Sequence, residues 1–442
     1  MKKILVLLSG LLLGVTTISC EKFLDIEPQG KIIPKTVEDF RKVLTSAYQG
    51  YPKHKSLTNF RTDEVFIEAN GENFGFLGVK DVYTFQDANP DKQTLEFGYD
   101  QFYKTIFYAN QTINEGVNTM ETGDEKEQLL GEAYAIRAMA YFDLTNLYAK
   151  PYNPATASTD LAIVLQNKID IENRKPKSTM TEVYAQVHSD IDMAKKHLKV
   201  TYYDAGKNYR FTQAAIYALE ARVNLYQQEY EAALVSIDKA MTYKSELQNL
   251  NTTKDISVAD FKSVESILAL ETALQSTLQS LTYVSQDLLN AFDKENDLRF
   301  AVSFEKSGDF YVPIKTGKDN QKVSFRTSDL YMMKAEALTH LNRLGEATDA
   351  LKTIINNRYK PEAATKVIAY LNGLDQKGMI KAILEESFKE FAFEGRRWFD
   401  LRRLDQKEIK HNLGSQVYKL IENDVRYTLP FPKKARENNP NL

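Results

Sequence analysis

Thr36 stands three residues before Asp39, and Val37, Phe40, Val43, Leu44, Ala47 and Tyr51 follow at helical spacing. That is the pattern of a capped helix with one buried face. Its recurrence along the chain constrains the fold more than any other feature. The spacing predicts helices over Tyr99 to Met120, Asp124 to Ala149 (stopped by Pro151) and, after the capping box Thr179 to Glu182, as far as Leu198. Further helices are expected from Thr212 to Gln228, Tyr230 to Tyr243, Ser328 to Asn342, Gly345 to Arg358 and Lys377 to Leu404. With 19 Gly and 12 Pro in 442 residues, the chain lacks the turn residues an all-β fold requires.

Two segments break the pattern. Ser56 to Gly98 loses periodicity but carries Phe66, Phe74, Phe76, Tyr83, Phe85 and Phe97, and a loop region rich in aromatics argues for function rather than disorder. Ile256 to Pro313 is mixed, with a short buried strand expected within Ser266 to Thr272 and a helical turn at Asp287 to Phe292. The tail from Val425 to Leu442, with Pro430, Pro432 and Pro440, reads as irregular apart from a short strand.

The helices repeat a theme. Tyr217, Ala221, Tyr230, Ala233 and Ala240 fall at offsets of the tetratricopeptide pattern, where small residues let two helices pack closely. Ala335 to Ala337 with Gly345, Ala347, Ala350 and Leu351 repeat it, and the helices around Glu132 to Tyr148 and Tyr184 to Ala194 form another candidate pair. Large insertions separate the pairs, which makes them a scaffold for other segments rather than a plain array.

The N-terminus has a targeting layout. Lys2 and Lys3 precede the uncharged apolar run Ile4 to Val15, and small or polar residues lead to Cys20. The run is too short to span a hydrocarbon core of ~30 Å. The single cysteine closes it and is placed to carry a diacylglycerol, so residues 1–19 read as a lipoprotein signal peptide and 20–35 as an extended leader from lipidated Cys20. One cysteine excludes a disulfide framework. Net charge is −3, from 57 basic and 60 acidic residues, which implies no nucleic-acid surface.

Searches for chemistry return little. No G-x-S-x-G or H-E-x-x-H is present, and Gly206-Lys207 and Gly317-Lys318 lack the upstream glycine of a phosphate loop. Asp293, Glu295 and Asp297 alternate like calcium ligands, but Leu298 and Phe304 occupy the places that need Gly and Glu. The five histidines have no metal-binding spacing, so no metal or cofactor is expected.

The most distinctive stretch runs from Glu385 to Arg403. If helical throughout, it places Phe388, Phe391, Gly395 and Trp398 on one face and pairs Glu385 with Lys389 and Arg396 with Asp400. Trp398, the only tryptophan, reads there as a core residue. This stretch resembles the C-terminal hallmark of the SusD/RagB family of outer-membrane lipoproteins. Phe23 to Pro28 after Cys20, Gly131 to Tyr152 with Arg137 to Leu144, Arg326 to Leu338 with Ala335-Glu336-Ala337, and Phe431-Pro432 with Asn439 to Leu442 match the family in order.

The resemblance implies a mostly α, SusD-like fold: interrupted tetratricopeptide-type helix pairs forming a scaffold, and a loop-rich ligand lobe with a few short strands. The expected division is an N-terminal region over 36–255 and a C-terminal region over 256–442, intertwined in one globular unit. It further implies a non-enzymatic, surface-exposed nutrient binder, anchored by lipid in the outer membrane and acting as a lid on a SusC-like TonB-dependent β-barrel transporter. Its ligand would be an oligosaccharide, or a peptide in some branches. A secreted glycoside hydrolase and a scaffold that binds only proteins are the competing readings. Candidate ligand-binding residues are Phe74, Phe76 and Tyr83, with Asp63 and Asn73 as polar companions, and Phe310 and Tyr311 from the second insertion. Flat rings suit sugar C–H faces, and the polar groups suit hydroxyls.

Overall fold

The computed structural model describes residues 34–71, 73–169 and 173–442. The expected signal peptide over 1–19, the expected lipidation site Cys20 and the expected leader up to residue 33 lie outside the described residues. In chain order the principal elements are α1 (Val37–Gln49), α2 (His54–Asn59), β1 (Val65–Phe66), α3 (Phe74–Tyr83), α4 (Tyr99–Asn114), α5 (Asp124–Tyr148), α6 (Met180–His197), α7 (Gln213–Tyr226) and α8 (Tyr230–Tyr243). There follow β2 (Ser266–Leu268), β3 (Tyr283–Val284), α9 (Arg299–Ser303), β4 (Phe304–Ser307), β5 (Phe310–Pro313) and β6 (Phe325–Arg326). Then come α10 (Thr327–His340), α11 (Leu344–Arg358), α12 (Pro361–Leu371), α13 (Gln376–Glu390), α14 (Arg397–Leu404), β7 (Ile409–Leu413) and β8 (Gln416–Leu420), and the tail, expected to be irregular, ends in a short helix over Lys433–Asn438. Short helical turns fill some of the links. No helix among the described residues is long and apolar enough to cross a membrane.

Both expected capping boxes form, Thr36 with Asp39 and Thr179 with Glu182. The scaffold is built of packed pairs, α5 on α6, α7 on α8 and α10 on α11, with α4 lying against α1 and α5. Helix α5 has neighbours on several sides, so its buried residues are not confined to one stripe. The charges this buries are paired: Glu132 meets Arg41 at 2.7 Å and Arg210 at 2.8 Å, and Arg137 meets Asp190 at 2.6 Å. The largest apolar core draws on residues from Phe40 to Ala435, so the two halves of the chain share it.

Several expectations need correction. The helix from Tyr99 stops at Asn114, and Gly116–Thr119 is a separate turn. Helix α3 lies where no period is legible, because two of its first five residues are Gly; Asn73 starts it by accepting from the Phe76 N–H at 3.2 Å. Helix α12, absent from the expected helices, begins on Pro361, whose fixed φ and missing N–H suit a first helical position.

The stretch expected as one helix from Lys377 to Leu404 is two, α13 and α14. Phe393 (φ 60) and Gly395 (φ 72) take left-handed conformations between them and turn the chain. Phe388, Phe391 and Trp398 therefore share no face: each enters a different apolar cluster. Lys389 turns inward to Glu386 (2.5 Å) and the Tyr359 hydroxyl (2.6 Å) instead of pairing with Glu385. Arg396 does meet Asp400, at 3.3 Å.

Candidate ligand-binding site

A group of three aromatic rings sits where the two insertions meet. Strands β1 and β3 pair antiparallel with Phe66 opposite Tyr283, which puts both rings on one face. Phe310, the first residue of β5, closes the group. Ring centroids are 5.9 Å apart for Phe66 and Tyr283, 5.3 Å for Phe66 and Phe310, and 4.7 Å for Tyr283 and Phe310. All three are half-buried, so the rings support one another while part of each faces solvent. Ser307 pairs with Phe310 and Glu305 with Val312 in the β4–β5 hairpin, setting exposed polar groups on the same side. Phe74, 83% exposed at the start of α3, has no packing reason for its position. Its neighbour Gly75 lies against Leu281, two residues before Tyr283.

The structure separates the residues singled out from sequence. Tyr83 is buried, stacked 4.0 Å from the His411 ring, and Phe76 fills the core beneath α3. Asn73 serves as the cap of α3. Asp63 is buried between Arg397 (2.8 Å) and Lys407 (2.7 Å). Burial opposes its charge, yet those two cations bring the Asp63 carboxyl down to about 2. Tyr311 faces away from Phe310, because strand neighbours alternate, and packs on Phe300 with Lys294 over its ring. Phe66 and Tyr283, which complete the group, were not singled out. Phe66 stands among the loop aromatics, but its pairing with Tyr283 is a long-range contact that no local pattern records. Trp398 is fully buried, stacked on Tyr427 at 5.1 Å with the Arg61 guanidinium 4.7 Å from its ring centroid.

Beneath the rings lies a buried ionic network. Arg299, at the start of α9, meets Asp297 (2.6 Å), Glu386 (2.8 Å) and Glu390 (3.3 Å). Lys315, just after β5, meets Glu394 at 2.7 Å. Arg326 meets Glu265 (2.8 Å), Glu390 (2.7 Å) and Glu394 (3.0 Å), and Arg358 meets Glu265 and Glu390. The β4–β5 hairpin that carries Phe310 is thus tied at both ends to α13 and the turn after it, which supports the ring group from a rigid base. Asp297, read as one of three alternating acids, is committed to Arg299.

A groove of about 1340 Å³ opens elsewhere, lined by Phe85, Pro151, Tyr152, Asp160, Val425 and Arg426 among others. Phe85 is buried, and Tyr152 stands edge-on to Tyr184 at 4.9 Å. The groove offers polar and proline surface and the one half-buried Tyr152 ring, not a group of mutually packed rings facing solvent.

Comparison with known proteins gives the family and the fold. A family model described as "Starch-binding associating with outer membrane" matches residues 22–225, and the SusD family model matches residues 165–442. A curated SusD-like protein of Formosa agariphila is 25% identical, with 89% of this chain and 90% of that protein covered. A solved SusD superfamily protein of Bacteroides thetaiotaomicron superposes with a TM-score of 0.75 at 20% identity, over 92% of this chain and 98% of that one. A protein described as a laminarin binding SusD-like protein superposes at 0.63 with 18% identity, covering 83% and 91%. With helix pairs, small strands and interrupting lobe all in place, and a family model spanning more than half its length, the chain belongs to the SusD/RagB family.

Proposed function

We propose that this chain binds an oligosaccharide at Phe66, Tyr283 and Phe310, with Phe74 at the rim, and passes it on uncleaved. The observation that carries this reading is the three-ring group itself: mutually packed aromatics, half in water, on the insertions that leave the scaffold. Sugar rings offer apolar C–H faces to such a surface, while Glu305 and Ser307 can meet their hydroxyls. The laminarin-binding neighbour and the starch-binding description of the matched family support a glycan. The chain would sit at the outer membrane, held by lipid on Cys20, as a lid on a SusC-like TonB-dependent transporter. A lid of this kind works by differential affinity, closing over ligand and opening to load.

The test is calorimetric titration with α-glucan, β-glucan and peptide libraries, comparing the wild type with Tyr283→Ala/Phe310→Ala. Each stacking ring contributes on the order of 1 kcal/mol beyond its burial, so the double variant should bind its glycan tenfold or more weakly. Circular dichroism should be unchanged. Equal affinity in the double variant would move the site off these rings, a peptide-only response would change the ligand class, and release of shortened glycans would make the protein a hydrolase.

The anchor has its own test. Cys20→Ala should leave the protein secreted but recovered in the soluble fraction, because the single thiol is the only group that can take a thioether-linked lipid. Retention of that variant on outer membranes after a high-salt, detergent-free wash would show another means of attachment.

A further inference from the structure

We propose that His54, Asp143 and Glu271 bind a divalent cation of the zinc class, fastening α2 and α5 to the segment that follows β2. The residues are far apart in sequence and come from three separate elements, so no spacing motif announces them. Their donor atoms lie within 4.8 Å of one another. Nε2 of His54 is 3.5 Å from Oε1 of Glu271 and 3.9 Å from Oδ2 of Asp143. Ligands about 2.1 Å from a tetrahedral ion stand roughly 3.4 Å apart, so the histidine needs to approach each carboxylate by about half an ångström or less, and the two carboxylates, within 4.8 Å of each other, by at most about 1.4 Å.

The imidazole is the independent sign. It is 1% exposed, and neither ring nitrogen makes a hydrogen bond. A buried polar group left unpaired is rare, because desolvation is then uncompensated. A neutral imidazole offers a metal the ring-nitrogen lone pair it needs. Phe102 and Phe399 hold its plane, with ring centroids 5.3 Å and 6.2 Å away.

The two carboxylates are oriented from outside, as ligands of a metal usually are. The Tyr51 hydroxyl donates to Oδ2 of Asp143 at 2.7 Å. Lys55 takes the outer oxygen of Glu271, Oε2, at 2.9 Å and also donates to the Val323 carbonyl at 3.0 Å, leaving Oε1 toward the histidine. Arg222, the other nearby cation, is occupied by Asp329 and the Ser324 carbonyl.

Beside the cluster a cavity of about 30 Å³, lined by His54, Asp143, Asn146 and Ser324, has room for a water as a further ligand. Asp143, 15% exposed along its side chain, gives an ion its way in. One imidazole and two oxygens suit zinc or its neighbours, whereas calcium asks for six to eight oxygens.

The experiment uses the untagged full chain, stripped with chelator and dialysed, then titrated with Zn²⁺ and with Co²⁺ as a spectroscopic probe. The expected result is one ion per chain, a melting temperature that rises with zinc, and Co²⁺ d–d bands of a low-coordinate site. Asp143→Asn and Glu271→Gln should each weaken binding at least tenfold, and His54→Phe, which keeps the ring packing, should abolish the Co²⁺ bands. A wild-type protein that takes up no stoichiometric ion overturns the proposal whatever the variants do, and so does uptake that survives Asp143→Asn unchanged.

Discussion

Glu390→Gln is expected to lower stability by about 3–5 kcal/mol, the cost of breaking a buried ion pair from one side. The network around it has five cations, Arg299, Lys315, Arg326, Arg358 and Lys389, against five anions, Glu265, Asp297, Glu386, Glu390 and Glu394. All ten side chains are buried. Glu390 is the hub, accepting from Arg299, Arg326 and Arg358. Burial opposes its ionisation, but Arg358 and Arg326 hold its carboxyl well below the usual range. Glutamine preserves the shape and one acceptor, yet leaves one buried positive charge without a counterion. Urea unfolding should show a lower midpoint at constant slope. A loss under about 1 kcal/mol would mean that water or side-chain movement already neutralises these guanidiniums. The ring group should also loosen, because Arg299 and Lys315 tether the hairpin that carries Phe310.

Gly395→Ala is expected to cost about 2–4 kcal/mol, from two sources that a control can separate. At φ 72 a side chain adds strain of about 1 kcal/mol. A Cβ built there would lie 2.4 Å from Cβ and 2.9 Å from Cα of Lys55, so helix α2 must move, and overpacking of that kind costs about 1–3 kcal/mol. Gly308, in the β4–β5 turn, has φ 61 but nothing within 4 Å of its would-be Cβ. Gly308→Ala should therefore show only the backbone part. Equal melting temperatures for the two variants would rule out the close approach of Gly395 to Lys55. Because Lys55 orients Glu271, Gly395→Ala should also weaken zinc uptake, whereas Gly308→Ala should not.

The long helices were legible because their causes are local. Capping boxes at Thr36 and Thr179, Pro151 after α5 and apolar residues at three- and four-residue spacing act within a turn or two of themselves. Helices α8 and α11 follow that pattern closely. The same local signals were present but weak for α12, with Pro361 at its first position, and for α3, with its Asn73 cap.

The break between α13 and α14 shows where local reading stops. Phe388, Phe391, Gly395 and Trp398 satisfy the helical period, yet three separate cores each claim one of the large side chains. Burial in those cores, with Arg326 and Lys315 drawing in Glu394, outweighs the few tenths of a kcal/mol by which a continuous helix would gain from its exposed pairs.

The sites divide in the same way. That the aromatic residues of the two insertions are packed rather than disordered could be read from a loop composition too apolar for solvent. Which rings face out could not: Tyr83 found His411, Tyr311 found Phe300, and Phe310 found Phe66 and Tyr283. His54, Asp143 and Glu271 have no mutual spacing at all, and only the packing of α2 against α5 and the segment after β2 brings them together. Helical period and caps are properties of neighbouring residues, so the sequence alone determined the scaffold. Exposure of a ring and convergence of ligands depend on segments hundreds of residues apart, and only their packing in three dimensions decided those.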